Sequence, residues 1–286
     1  MLNGAMQKAE ILVEALPYIK DFYGKRVVIK YGGAAMVDCE LKKKVIEDIV
    51  LMRYVGMKPI VVHGGGPEIN HMLARLGIES DWVDGLRVTD RETMEIVEMV
   101  LGGKVNKEIV AGINASGGLA VGLSGKDGQL ITAQALDRDK MGFVGQVTAI
   151  NPAIIETVVD SGYIPVIAPI GIGPAGESYN INADLVAAAI AVALKADKLV
   201  LLTDVPGLLR DPGDPASLIS ILRVGDVQDY INQGIIAGGM IPKVQCCVES
   251  VLGGVGRTHI IDGRLPHSIL LEVFTREGIG TMVVNA

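Results

Sequence analysis

Val27-Val28-Ile29-Lys30-Tyr31-Gly32-Gly33 joins an apolar run to two glycines through a lysine. Arg26–Lys30 reads as a buried strand, and a ligand of a parallel sheet sits where such strands end. A cation at that point, followed by glycines, can meet a phosphate together with backbone N–H groups. The stretch also fits an ordinary strand-to-turn transition with a solvated lysine.

Outward from this strand, apolar runs alternate with helical patterns. Residues 40–55 read as a helix and Lys58–His63 as a second strand, which ends in Gly64-Gly65-Gly66. Pro67 is a good first helical residue, and a helix follows to about 76. Residues 80–88 look irregular. Thr89-Asp90-Arg91-Glu92 has the form of a capping box, with Thr89 as N-cap of a helix to about 115. Leu119–Leu123 is a strand, Leu130–Ala133 and Gly142–Ala149 a hairpin, Pro152–Ser161 a helix and Ile164–Pro169 a strand. Residues 182–195 form an Ala-rich helix. Lys198–Thr203, Arg257–Ile261 and Thr281–Val284 are strands, and 224–233, 241–252 and 266–273 are helices. The alternation predicts an α/β fold, an open αβα sandwich with a largely parallel central sheet. Residues 210–217 are the clearest exposed loop, and the chain is expected to divide near 194.

Ahead of the first strand, residues 5–23 carry Ala9, Leu12, Val13 and Leu16 at helical spacing. Pro17 removes a donor there and predicts a kink or break. This N-terminal helix packs either on its own domain or on another subunit.

The chain has 286 residues, 49% hydrophobic and 21% charged, so it can bury a large core and is not a disordered polymer. Its net charge of −7 argues against a general nucleic-acid binder, without excluding a locally positive site for an anion. Neither a membrane span nor a signal peptide is visible. Cys39, Cys246 and Cys247 are poor material for a disulfide framework, which points to a reducing, cytoplasmic setting. The four histidines lack zinc-site spacing, and no metal site is expected.

Two phosphate motifs fail on inspection. Gly171, Gly173 and Gly176 match G-x-G-x-x-G, but Pro174 and the polar run after it stand where the helix should begin. Gly125-Lys126 approaches a Walker A loop, but Asp127 replaces the hydroxyl residue and Ala120 the first glycine. Gly64-Gly65-Gly66-Pro67 is stronger, because the backbone can approach an anion closely at a helix start. Arg87 could clamp a carboxylate or form a surface ion pair. Asn180-Ile181-Asn182-Ala183-Asp184 opens the Ala-rich helix, with Asn182 as a plausible cap. Gly238-Gly239-Met240-Ile241-Pro242-Lys243 again sets glycines and a lysine at a helix start, and pairs Lys243 with Lys30 as two cations for one phosphate.

Taken in order with Gly85-Leu86-Arg87-Val88-Thr89 and Thr203-Asp204-Val205-Pro206-Gly207, these pieces span nearly the whole chain. The set resembles the amino-acid kinase family, and within it the branch that acts on N-acetyl-L-glutamate. The resemblance implies ATP-dependent phosphorylation of the γ-carboxylate of N-acetyl-L-glutamate, the second step of arginine biosynthesis. It implies an acetylglutamate-binding lobe over 1–194 and an ATP-binding lobe over 195–286. Lys30, Lys243 and Asp184 would be catalytic. Gly33, Gly65, Gly66, Arg87 and Asn180 would bind the substrate and the transferring phosphate. Thr203, Asp204, Gly207, Leu208, Gly238, Gly239 and Met240 would line the nucleotide, which arrives as ATP with Mg²⁺ held mainly by phosphates and water. A carboxylate nucleophile, with an ordinary pKa of about 4.3, is already ionised and needs no general base.

The N-terminal helix is similar to the extension of arginine-inhibited, hexameric members of that branch, whose arms interlace dimers into a ring. His267-Ser268-Ile269-Leu270-Leu271-Glu272 and Gly278-Ile279-Gly280-Thr281 resemble their arginine-site signature. By that likeness Tyr18, Lys198, Glu272 and Gly280 would contact arginine as a feedback inhibitor. The Cys246-Cys247 region is also similar to relatives that bind PII-type nitrogen regulators. Two rivals share the motifs: a kinase for a carrier-bound aminoadipate or glutamate, and a non-catalytic regulatory subunit. The second would be expected to lack a catalytic lysine or Asp184.

Overall fold

The strands β1 (Arg26–Tyr31), β2 (Lys58–His63) and β11 (Lys198–Thr203) are almost wholly buried, which is why they read as continuous apolar runs. Their side chains alternate between two cores. Val27, Ile29, Val61 and Val200 face one, while Val28, Ile60, Val62, Leu199 and Leu201 face the other. The computed structural model describes residues 2–275 and 278–285.

In chain order, α1 (Leu2–Phe22) precedes β1, and a 3₁₀ turn (Gly33–Met36) follows it. Then come α2 (Cys39–Tyr54), β2, α3 (Gly66–Leu76) and the two-residue strands β3 (Trp82–Val83) and β4 (Leu86–Arg87). The next helical stretch is α4 (Arg91–Glu98), a π-helical segment (Met99–Val105) and α5 (Asn106–Ala115). After it lie β5 (Ala120–Ser124), β6 (Ile131–Ala135), α6 (Arg138–Met141), β7 (Gly145–Ile150), α7 (Ala153–Asp160), β8 (Ile164–Ala168), β9 (Ile170–Ile172) and β10 (Ser178–Asn180). The chain ends with α8 (Ala183–Ala193), β11, β12 (Ile221–Arg223), α9 (Val227–Asn232), α10 (Met240–Leu252), β13 (Arg257–Asp262), α11 (Ser268–Val273) and β14 (Thr281–Val284).

Eight strands form the main sheet in the order β12-β14-β13-β11-β1-β2-β8-β5. Only the β13–β14 pair in it is antiparallel. Residues of α2, α3, α4 and α5 pack in the core on one face, and those of α7, α8 and α10 in the core on the other. This is the expected αβα sandwich. β1 pairs with β11, so one sheet continues across the boundary expected near 194. Because β1, β2, β8, β11 and β13 run the same way, their carboxyl ends share one edge of the sheet.

Local structure departs from the sequence expectation in α1, in residues 80–88, and at the cap and in the middle of the stretch 89–115. α1 runs unbroken through Pro17. Residues 80–88 contain the hairpin β3–β4, in which Trp82 pairs with Arg87. The cap of α4 is Asp90, whose carboxylate accepts from Thr93 N–H, and not Thr89, whose hydroxyl donates to Arg87 O. The helix expected from there to 115 is interrupted by the π segment. The G-x-G-x-x-G stretch folds as the antiparallel pair β9–β10, with Asn180 opposite Ile170. No helix among the described residues is long and apolar enough to cross a membrane.

Candidate active site

Lys30 reaches the cleft from the end of β1, and Lys243 from the first turn of α10. Asp184 lies between them, in the first turn of α8, where Asn182 caps the helix by accepting from Asp184 N–H and Leu185 N–H. Lys30 Nζ is an ion-pair partner 3.0 Å from Asp184 Oδ1, and Lys243 Nζ donates to Oδ2 at 2.8 Å. Burial works to raise the Asp184 pKa, but the two ammonium groups outweigh it and hold the carboxyl below its ordinary range. The carboxylate therefore stays charged and balances one of two converging cations. A cavity of about 240 Å³ opens over this triad, lined by Gly32, Gly33 and Gly64–Gly66.

The glycines have local reasons. Gly33 sits at φ +67°, and a Cβ there would fall 2.3 Å from Asp204 Oδ1. A Cβ at Gly32 would meet Lys30 Nζ at 2.7 Å. Bare backbone at these turns leaves room for an anion above the lysines.

A second cavity of about 180 Å³ shares Gly64–Gly66 with the first and adds Arg87, Asn180 and apolar walls from Ile69, Leu101 and Val144. Arg87 is 5% exposed, donates to Ser80 Oγ and Asn70 Oδ1, and stacks over the Trp82 ring at 4.5 Å. Asn180 Nδ2 donates to Thr89 Oγ1, which in turn donates to Arg87 O. Arg87 and Asn180 are thus tied together through Thr89, whose hydroxyl is engaged here and not at the helix start. A polar end beside an apolar wall suits a small acid that carries an acyl group.

The residues expected to line a nucleotide divide. Asp204, Gly238 and Gly239 are exposed, Asp204 lies against Gly33 of the triad cavity, and Met240 opens α10. Thr203 Oγ1 is turned inward to Ile261 O, and Leu208 donates its N–H to Thr281 Oγ1. A Cβ at Gly207 would fall 2.7 Å from that same hydroxyl. Thr203, Gly207 and Leu208 therefore shape the turn from inside.

Away from this edge, Tyr18, Lys198, Glu272 and Gly280 line one cavity of about 580 Å³ together with Phe22 and His259. His259 Nδ1–H donates to Glu272 Oε1 at 2.6 Å, and its Nε2 accepts from Lys198 Nζ at 3.2 Å. Glu272 Oε2 accepts from Ile279 and Gly280 N–H. Burial, aided by Arg257, lowers the Lys198 pKa to about 8. His259 escaped the sequence reading, although a histidine inside Thr258-His259-Ile260-Ile261, a buried strand, was the available signal. Cys246 and Cys247 are buried and present little surface to a partner.

Two lysines bridged by a carboxylate beneath glycine turns, at the carboxyl edge of a parallel sheet, are the equipment of a phosphotransferase. The chain belongs to the amino acid kinase family, which it matches over residues 25–262. It is 76% identical over 286 residues to an acetylglutamate kinase of Syntrophomonas wolfei subsp. wolfei, a match covering 100% of both chains. Among solved structures it is similar to the N-acetylglutamate synthase of Neisseria gonorrhoeae complexed with coenzyme A and N-acetyl-glutamate. That likeness has a TM-score of 0.85 at 28% identity and covers 97% of this chain and 63% of the synthase chain. The same synthase complexed with coenzyme A and L-arginine matches with a TM-score of 0.80 at 27% identity, over 97% of this chain and 65% of that one.

Proposed function

We infer that this kinase transfers the γ-phosphoryl group of ATP to the γ-carboxylate of N-acetyl-L-glutamate, giving N-acetyl-L-glutamyl 5-phosphate and ADP in arginine biosynthesis. The observation that carries the reading is the Lys30–Asp184–Lys243 bridge beside a cavity that holds Arg87 and Asn180. Arg87 and Asn180 orient the acetylated amino acid, and the side-chain carboxylate reaches the glycine turns. One of its oxygens forms a bond to the γ-phosphorus while the bond to the β–γ bridging oxygen breaks and ADP leaves with that electron pair. Lys30 and Lys243 neutralise charge on the phosphoryl oxygens, and N–H groups of Gly33 and Gly65 assist. No proton needs to be removed from an ionised carboxylate.

Residues 1–194 carry the acid and residues 195–286 the nucleotide. Both oxygens of Asp184 already face lysines, so the carboxylate is not free as a metal ligand. Mg²⁺ accordingly comes as part of the nucleotide substrate, held by phosphates and water.

The cavity around Tyr18, Lys198, Glu272 and Gly280 takes arginine as inhibitor. Its buried carboxylate suits a guanidinium. Along α1, Ile11, Leu12, Val13 and Leu16 are all at least 60% exposed, which supports α1 as an arm that packs on another subunit in a cytoplasmic hexamer. Light scattering tests this: the full chain is expected at six chains, and a form lacking residues 1–24 at fewer, whereas equal masses would exclude the arm. No surface is assigned to a PII-type regulator. The test of the reaction is ADP release with MgATP and either N-acetyl-L-glutamate or a carrier-bound aminoadipate. Turnover with the first supports the reading, and turnover with the second alone overturns it.

A further inference from the structure

His63 ends β2 with no exposed surface, one residue before the glycine turn. Its Nδ1 lies 2.7 Å from Gly64 O, and its Nε2 lies 3.2 Å from Asn106 Nδ2. A carbonyl oxygen can only accept, so Nδ1 carries the proton and Nε2 accepts from the Asn106 amide. Asn106 is itself 1% exposed and is held in place, donating to Val166 O at 2.9 Å and accepting from Lys107 Nζ at 3.1 Å. An amide donor facing Nε2 leaves no place for a second ring proton. Burial acts in the same direction, with Lys107 adding to it, and the His63 pKa falls to about 4. The ring is neutral at working pH, in one tautomer.

That tautomer has a geometric consequence. Gly64 C=O and Gly65 N–H belong to one trans peptide and point in opposite directions. The Gly64 N–H is anchored as well, donating to Tyr31 O at 2.8 Å. A grip on Gly64 O from the core side therefore aims Gly65 N–H away from the core, toward the cavity of Lys30, Asp184 and Lys243, which Gly65 lines. Among the described residues Gly65 N–H has no backbone acceptor. The π segment before Asn106 closes the other side, since Leu101 Cδ2 and Val105 Cγ2 would lie 2.5 and 3.5 Å from a Cβ at Gly65.

We propose that His63 and Asn106 are positioning residues for phosphoryl transfer: Asn106 holds the Nδ1–H tautomer of His63, and His63 locks the Gly64–Gly65 peptide so that Gly65 N–H meets the transferring phosphoryl group. The proposal rests on the phosphotransferase reading of the site. It predicts an effect on the transition state rather than on ground-state binding, because a misaimed donor fails where charge develops.

The experiment first measures wild-type turnover with N-acetyl-L-glutamate and MgATP, since its absence would remove the functional reading and not this one alone. In His63→Leu, kcat is expected to fall roughly 10- to 100-fold. The KM values should stay within about threefold of wild type. His63→Asn can again present an N–H near the Nδ1 position and should recover most of the loss. A kcat for His63→Leu within about twofold of wild type, or an Asn variant no better than the Leu variant, overturns the proposal. Where His63→Leu does not fold, Asn106→Ala decides. It frees the tautomer without touching the loop, and the proposal predicts a roughly tenfold lower kcat at unchanged KM. An unchanged kcat in that variant overturns it.

Discussion

Lys243 and Asp184 stand 59 residues apart in sequence and 2.8 Å apart in space, and the contact joins the first turns of two helices. Asp184 meets Lys30 on its other oxygen, so one carboxylate sets the separation of two cations that would otherwise repel. Asp184→Asn keeps the shape and removes the charge. Turnover should fall on the order of a hundredfold, since two electrostatic contacts lose their alignment together. Steady-state kinetics with both substrates checks this, and a variant with wild-type kcat would show that the bridge is only structural.

The proposed arginine role of the cavity around Tyr18, Lys198, Glu272 and Gly280 predicts a separable phenotype. Glu272 accepts from His259 and from the Ile279 and Gly280 N–H groups, and among the described residues it bonds to none of Lys30, Asp184 and Lys243. Glu272→Gln should weaken arginine inhibition at least about tenfold, the usual scale for a buried ion pair with a guanidinium. Turnover without arginine should be unchanged. An unaltered inhibition curve would remove Glu272 from the site.

Asp48 supplies the pH dependence. It is fully buried on α2, accepts from His267 Nδ1 at 2.5 Å, and has its pKa pushed up to about 6 by burial, against the pull of His267 and of the backbone N–H groups of Leu270 and Ile269. A carboxyl whose folded pKa is raised favours the folded state fully below its unfolded pKa of about 3.9, and loses that contribution as pH rises through the folded value. The loss is on the order of 2–3 kcal/mol by neutral pH. Asp48→Asn removes the titration, so its Tm relative to wild type should climb by several degrees between about pH 4 and pH 7. A Tm difference independent of pH would contradict this.

The strands β1, β2 and β11 were legible because burial on both faces makes them apolar throughout, and the lysine and glycines at their ends stood out against that background. The hairpin β3–β4 was not, because two-residue strands have no periodicity. Arg87 is held there by Trp82, Asn70 and Ser80, contacts that exist only after folding. Thr89 and Asp90 are both good caps on paper, and the choice fell to Asp90 because Asn180 and Arg87 O occupy the Thr89 hydroxyl. Lys30, Asp184 and Lys243 could each be singled out in sequence, but only the sheet edge brings them together. His63 stood out only as a histidine closing an apolar strand before three glycines, and nothing in that pattern shows that it holds a carbonyl.

The proposed role of Lys30, stabilising a phosphoryl group in flight to a carboxylate, is open to one decisive measurement, the kcat of Lys30→Ala. With fold and oligomer intact, kcat should fall roughly a hundredfold while the KM values for MgATP and N-acetyl-L-glutamate change far less. Near-normal turnover in that variant would rule out this role for Lys30.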